Sequence, residues 1–189
     1  MRNLNMYGVL FFVVFFANSC TAATEKNDVM RAALNGYCKN KSQNVLQNTS
    51  ISLGGSDDSS FSNLHGINSE ALADAFVKNK TPSVIMPVCD QLVLLSEEEI
   101  RLAFKNKPNK PREKNDFFLD DEWASFYEKY PGVKGIVKVS QPGYSKDGLY
   151  AVIYTTSICA PLCGYAFLTQ YKNVDGKWVF DRRELIAQS

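Results

Sequence analysis

The sequence has few of the residues that acid–base or metal chemistry requires. It contains one histidine, His65, and five cysteines among 189 residues. Any Ser–His–Asp or Cys–His site would therefore have to use His65. Gly54-Gly55 is not followed by the Lys-Ser/Thr pair of a phosphate-binding loop. The sequence thus predicts no cofactor and no metal site.

An excess of charge of one sign is also absent. Lys and Arg number 21 and Asp and Glu number 20, which gives a net charge of +1. A nucleic-acid-binding domain normally has a strong basic excess, so this class of partner is not expected. The hydrophobic fraction of 45% and the aromatic fraction of 12% are sufficient for a folded core.

The longest apolar run, from Val9 to Ala17, is too short to cross a membrane. As a helix it would rise about 14 Å, against roughly 30 Å for a bilayer core. Arg2 precedes the run and small residues follow it, which is the pattern of a secretory signal peptide. We therefore predict a signal peptide over 1–19 and a single domain over 20–189.

The residues around Cys20 are consistent with two alternative routes of signal-peptide cleavage. Ala17-Asn18-Ser19 before Cys20 resembles a bacterial lipobox, so Cys20 is a candidate for lipidation and membrane anchoring. Asn18 fits that pattern poorly. The alternative is ordinary cleavage near Ala22 or Ala23, which would release a soluble secreted or periplasmic protein.

The other four cysteines predict two disulfides. An even number in an exported chain favours disulfide pairing. Cys159 and Cys163 flank a predicted turn and form the favoured local pair, which leaves Cys38 with Cys89. A structural zinc site and unpaired buried thiols are the alternatives.

Hydrophobic periodicity predicts an α+β fold with N-terminal helices packed on a C-terminal four-stranded antiparallel β-meander. The helical half is 24–119, and 120–189 is one helix plus the meander. The helical half includes a basic segment at 105–115, for which an exposed loop is favoured over a patch attracted to anionic membrane head groups. Four helices are predicted, over 26–39, 69–79, 120–130 and a segment starting at 97. Ser69 is a candidate cap of the second helix along the chain, and Ser96 and Glu99 form a capping box at the start of the third.

Six strands are predicted, over 45–53, 92–95, 135–140, 149–157, 165–173 and 177–185. Asp175-Gly176 marks the hairpin between the last two strands, and alternation in the last strand places Trp178 and Phe180 on one face.

Four motifs follow one another in the second half of the chain: a Trp-containing helix ending in Tyr-Pro (WASFYEKYPG), an Ala-Val-Tyr strand (AVIY), a Cys…Cys-Gly turn (CAPLCG) and a Gly-Lys-Trp hairpin. In these motifs the sequence resembles a family of uncharacterised bacterial exported proteins and lipoproteins of unknown function. The resemblance covers roughly 69–185. Gln141-Pro142 departs from the family's pattern. The resemblance implies export, one α+β domain and paired cysteines, and it supplies no catalytic residue.

Two functional hypotheses follow. The first is a non-enzymatic envelope protein that binds a protein or a surface polymer through an exposed aromatic patch formed by Tyr150, Tyr154 and Tyr171. The second is a small extracytoplasmic hydrolase that uses His65 or carboxylates such as Asp120, Asp121 and Glu122. These carboxylates also have a structural explanation, because acidic side chains at the start of a helix interact favourably with the helix dipole.

Overall fold

A computed structural model of the protein describes residues 28–39, 43–51, 64–86, 88–105 and 121–189. The helices are α1 (28–39), α2 (Ser69–Lys78), α3 (Glu97–Lys105) and α4 (Asp121–Lys129). The strands are β1 (Gln43–Gln47), β2 (Leu92–Leu95), β3 (Val133–Val139), β4 (Gly143–Tyr144), β5 (Tyr150–Ala160), β6 (Cys163–Val174) and β7 (Lys177–Gln188).

The seven strands form one mixed sheet in the order β2-β1-β3-β5-β6-β7, with β4 paired to β5. The predicted α+β class is confirmed, and the antiparallel pairs β3–β5, β5–β6 and β6–β7 form the predicted meander. The prediction of a sheet of only four strands is wrong, because the strands predicted near 45–53 and 92–95 belong to the same sheet as the meander. β1 inserts beside β3, and β2 beside β1, and both of these pairs are parallel.

The parallel strands are apolar on both sides, which explains their place in the sheet. Val45 and Leu46 are consecutive in β1 and both are completely buried. Consecutive side chains of a strand point to opposite faces, so β1 requires cover on both faces. Its predicted range of 45–53 was displaced: β1 ends at Gln47, and beyond it Thr49 forms an isolated bridge to Val84.

Helices lie on both faces of the sheet. On one face, hereafter the α1 face, Val29 of α1 packs with Ile153 and Tyr171, and Leu34 packs with Leu46 and Val137. On the other, the α2 face, Ala71 packs with Val152 and Leu168. Val152 and Ile153 are neighbours in β5, so the two helices are on opposite sides.

Helices α3 and α4 cover the parallel end of the α2 face with an aromatic cluster. Phe126 is completely buried and its ring lies 5.2 Å from that of Phe104 and 5.6 Å from that of Trp123. The predicted capping box at the start of α3 is confirmed, because Ser96 N–H donates to Glu99 Oε2 at 2.7 Å and Glu99 N–H donates to Ser96 Oγ at 3.2 Å.

Helix α2 is fixed closely against the sheet. Its cap is Asn68 and not the predicted Ser69: Asn68 Oδ1 accepts from Ala71 N–H at 2.9 Å. Gly143 in β4 lies under the helix, and a Cβ at this position would overlap backbone atoms of Ala71 and Ala75. Only glycine permits this close approach.

Both predicted disulfides are present. Cys38–Cys89 joins the end of α1 to the loop before β2, with a Cα–Cα distance of 5.9 Å. Cys159–Cys163 closes the β5–β6 turn, with a Cα–Cα distance of 5.2 Å. The predicted Asp175-Gly176 hairpin is also confirmed, since the two residues have φ values of 52° and 77° and connect β6 to β7.

Several predictions fall outside the described residues. These are the signal peptide at 1–19, lipidation of Cys20, the end of the predicted strand at 52–53, the basic loop from 106 to 115, and Asp120. Within the part of the chain that is described, none of the helices has the length and hydrophobicity needed to span a bilayer.

Candidate functional site

A groove of about 530 Å³ lies between α1 and strands β5–β7 on the α1 face. We call it the α1 groove. The wall formed by α1 consists of small and polar residues and one aromatic ring, namely Ala32, Ala33, Asn35, Gly36 and Tyr37. Gly36 is in the interior of the helix, where glycine costs about 0.5–1 kcal/mol relative to alanine. Apart from its own helix backbone, no atom of the described residues lies within 4 Å of where its Cβ would be, so Gly36 leaves this wall open.

The sheet side of the groove combines hydroxyl groups, aromatic rings and one cation. Two buried threonines, Thr155 of β5 and Thr169 of β6, form its polar floor. Its other residues belong to β6 and β7, namely Phe167, Tyr171, Trp178, Phe180 and Arg183. The volume lies within the range of small-molecule sites, which combine apolar walls with a few polar groups.

A β-bulge in β7 places Arg183 in this groove. Tyr171 pairs with Phe180, but Gln170 pairs with Arg182, so Asp181 is an extra residue in β7. Simple alternation from Trp178 and Phe180 would have placed residue 183 on the α2 face. The extra residue returns Arg183 to the α1 face opposite Thr169. Bulges often re-aim a side chain in this way near functional sites.

Contacts on several sides fix the position of the Arg183 guanidinium. It lies 5.0 Å from the ring centroid of Phe167 and 5.9 Å from that of Phe180. Its Nε–H donates to Thr169 Oγ1 at 3.2 Å. None of the described carboxylates lies within ion-pairing distance of Arg183. The guanidinium also makes a side-chain hydrogen bond to Tyr171. Because a guanidinium has five N–H donors, these two hydrogen bonds hold the cation in place and leave further donors for an anion.

Tyr171 forms a buried part of the same wall. Burial raises the pKa of its hydroxyl above the usual range for tyrosine, and the nearby Arg183 opposes this effect only in part. The Tyr171 hydroxyl is therefore a neutral hydrogen-bonding group at physiological pH.

The predicted aromatic patch of Tyr150, Tyr154 and Tyr171 is not formed. Tyr171 is only 4% exposed and packs beneath α1 with Ile153 and Trp178. Tyr150 and Tyr154 lie on the α2 face, half-buried against the cluster under α2. The strand assignment was correct, but the strand period puts Tyr150 and Tyr154 on one face, and their partner strand presents Tyr171 to the other.

The residues of the hydrolase hypothesis are not brought together in the described part of the chain. His65 is exposed in the turn before α2, and no described hydrogen bond or ion pair joins it to a carboxylate. Asp121 and Glu122 are exposed in the first turn of α4, where they match the helix dipole. No group of three or more described His, Cys, Asp or Glu residues is arranged to hold a metal ion.

Most residues of the groove carry no clear signal in the sequence. The spacing of Trp178 and Phe180 predicts that they share a face, and both line the groove. Arg183 was not singled out, because the bulge that turns it inward has no clear signal in the sequence. Gly36 carried a weak signal, since a glycine inside an otherwise regular helix often has a structural reason.

Comparison with protein-family models, with curated proteins and with solved structures finds no match to this chain.

Proposed function

We propose that this chain is an exported, non-enzymatic binding protein that holds a protein or a surface polymer in the α1 groove. The observation that carries the proposal is the groove itself, where an anchored cation, buried hydroxyls and aromatic walls surround an open cavity. This is the composition of a recognition site. None of the described residues that line it is an Asp, Glu, His or Cys.

Export and anchoring form the second part of the proposal. The two disulfides are compatible with an oxidising compartment outside the cytoplasm. The signal-like segment and the lipobox-like residues before Cys20 support a lipid anchor in a bacterial envelope, as does the resemblance to exported proteins. The groove would then face the space outside the cytoplasmic membrane.

The binding half can be tested by site-specific photo-cross-linking. We would place benzoylphenylalanine at Phe180, which is 60% exposed at the groove, and at Val179, which is 44% exposed. These neighbours point to opposite faces of β7 and form a matched pair. We expect a discrete adduct in the producing cell from position 180 and none from position 179. Equal adducts from both positions, or none from 180, would contradict the proposal.

A groove-filling variant sharpens this experiment. Gly36→Trp projects an indole into the open groove without overlap at Cβ. It should abolish the adduct from position 180 while leaving the melting temperature close to that of the parent protein. An undiminished adduct would mean that the partner does not occupy the α1 groove.

The anchor is tested by the intact mass of the processed protein. We expect a chain that begins at Cys20 and carries acyl groups. A mass that begins near Ala23 without acyl groups would replace the anchored protein with a soluble one and leave the binding half unchanged.

A further inference from the structure

Arg183 is the only charged residue among the described residues that line the α1 groove. The rest of the lining is aromatic, small or uncharged and polar. A ligand that complements this lining offers one negative charge, an apolar group for the aromatic rings and polar atoms for the uncharged polar side chains. Resting on the function proposed above, we infer that the α1 groove binds a monocarboxylate that carries an aromatic or branched apolar group.

The geometry favours a carboxylate over a phosphate. A guanidinium presents its donors in a planar fork that matches the two oxygens of a carboxylate. Phosphate sites generally add further cations or a helix N-terminus with free N–H groups. The described groove has one guanidinium, and α1 lines it with residues 32–37 from its middle and C-terminal half.

The Arg183 side chain is already arranged for such a contact. The Phe167 and Phe180 rings and the hydroxyl of Thr169 restrict its motion, so little conformational entropy is left to lose on binding. The buried Thr155 hydroxyl lies on the same floor and can supply a further hydrogen bond.

The aromatic walls define the apolar half of the ligand. Trp178 is buried and lies beside Tyr171, while Phe180 is largely exposed at the outer part of the groove. A ring or a branched chain attached to the carboxylate would cover this surface and remove it from water. Two sources share this chemistry: a free small acid, and the C-terminal residue of a polypeptide.

The test compares N-acetylphenylalanine with N-acetylphenylalaninamide, which has the same body without the charge. The readout is the pair of indole N–H signals in an NMR titration of the oxidised protein. Trp178 lines the groove, whereas Trp123 lies in the cluster under α3 and α4 and serves as the internal reference. We expect the acid to move the Trp178 signal alone and to bind at least tenfold more tightly than the amide.

Neighbouring arginines provide a matched pair of variants. Arg183→Gln should weaken binding of the acid at least tenfold and weaken binding of the amide by a clearly smaller factor, because the guanidinium can also donate to the amide carbonyl. Arg182→Gln removes the same charge one residue away on the α2 face, where Arg182 lies against Gly66, and should change binding less than twofold. Arg183→Lys keeps the charge but loses the planar fork, so its affinity should fall between those of the parent and Arg183→Gln.

The possible failures are distinguishable. Equal affinity for acid and amide, or equal effects of the two Gln variants, would overturn the carboxylate inference. No movement of the Trp178 signal at millimolar acid would also overturn it. In each of these three cases, the photo-cross-linked adduct from position 180 still tests separately whether the α1 groove holds a partner. A peptide ending in Ala-Ala-Phe with a free carboxylate that binds more tightly than N-acetylphenylalanine would assign the carboxylate to a chain terminus. Weaker binding of the peptide would assign it to a free acid, which would keep the carboxylate inference and overturn the protein or polymer partner of the proposed function.

Discussion

The two ends of the sheet differ in how completely helices cover them. At the parallel end, α3 and α4 cover one face of β1 while α1 covers the other, and both Val45 and Leu46 are completely buried. At the antiparallel end, α2 covers one face, but no described helix covers the outer part of β6 and β7 on the other. There Tyr165, Phe180 and Leu185 are about half exposed.

This difference separates the covered end of the sheet, which stabilises the fold, from the open end, where we propose that a ligand binds. A side chain covered on both sides contributes to stability through burial and has no free surface. An open sheet beside the edge of a helix leaves a groove with rigid walls. Functional groups on such walls are held precisely because the strands beneath them are fixed.

Truncating one phenylalanine at each end of the sheet tests directly whether the two ends contribute differently to stability. Phe126→Ala removes a completely buried ring from the aromatic cluster and should lower the free energy of unfolding by about 3–5 kcal/mol. Phe180→Ala removes a ring that is 60% exposed and should cost about 1 kcal/mol or less. Denaturant unfolding of the two variants measures both values. Similar losses would mean that the groove wall belongs to the stabilising core.

The two disulfides should also differ in how much they contribute to stability. Replacing Cys38 and Cys89 by Ser opens a loop with a sequence separation of 51, which should cost about 4 kcal/mol on the chain-entropy model. The same change at Cys159 and Cys163 opens a separation of 4 and should cost about 2 kcal/mol. Thermal unfolding of the two double variants shows which of them loses more stability. The reverse order would show that the β5–β6 turn, and not the attachment of α1, limits stability.

Replacing each of two glycines by alanine should change the free energy of unfolding in opposite directions. Gly143→Ala forces a methyl group into the backbone of α2 and should cost about 1–3 kcal/mol. Gly36→Ala adds a methyl group that meets no atom of another described element within 4 Å and improves helix propensity, so it should stabilise the fold by about 0.5–1 kcal/mol. Urea midpoints of the two variants measure the signs. A destabilising Gly36→Ala would mean that the wall of the α1 groove is not open at this position.

The smallest expected effect concerns the bulge in β7. Gln170 Nε2 donates to Asp181 Oδ2 at 2.6 Å, and this hydrogen bond is the main cause that lowers the pKa of Asp181, with Arg182 assisting. Stability from a lowered carboxyl pKa is present above the unfolded value of about 3.9 and is lost as the pH falls through the folded value. Because the side chain is 28% exposed, we expect Asp181→Asn to cost about 1 kcal/mol or less at pH 6.

Thermal melts at two pH values check this sign. The difference in melting temperature between the parent and Asp181→Asn should be measurable at pH 6 and should shrink at pH 2.5. A difference that grows as the pH falls would contradict the assignment of the hydrogen bond to the ionised form.

Local patterns in the sequence predicted the elements well where each element carries its own signal. The capping box of Ser96 and Glu99 fixed the start of α3, and Asp175-Gly176 fixed the β6–β7 hairpin. The strand β1 was harder to delimit, because Val45 and Leu46 are both buried and give no alternation to read.

The candidate site was less predictable than the fold. Trp178 and Phe180 were placed on one face from their spacing, and both line the groove. The aromatic patch of Tyr150, Tyr154 and Tyr171 was wrong, since pairing of β5 with β6 puts Tyr171 on the opposite face from the other two. Which residues of neighbouring strands share a face depends on register, and register is set by long-range pairing.

Local sequence patterns predicted the α+β class and most of the helices and strands, and they favoured the pairing of Cys38 with Cys89 and of Cys159 with Cys163 that the structure shows. These depend on periodicity, caps, turns and cysteine spacing, which are local or countable. Only the tertiary structure decided that β1 and β2 extend the sheet, that α1 leaves the α1 groove open, and that Arg183 enters it. These depend on parallel pairing between distant segments and on one extra residue in β7, neither of which leaves a local pattern in the chain.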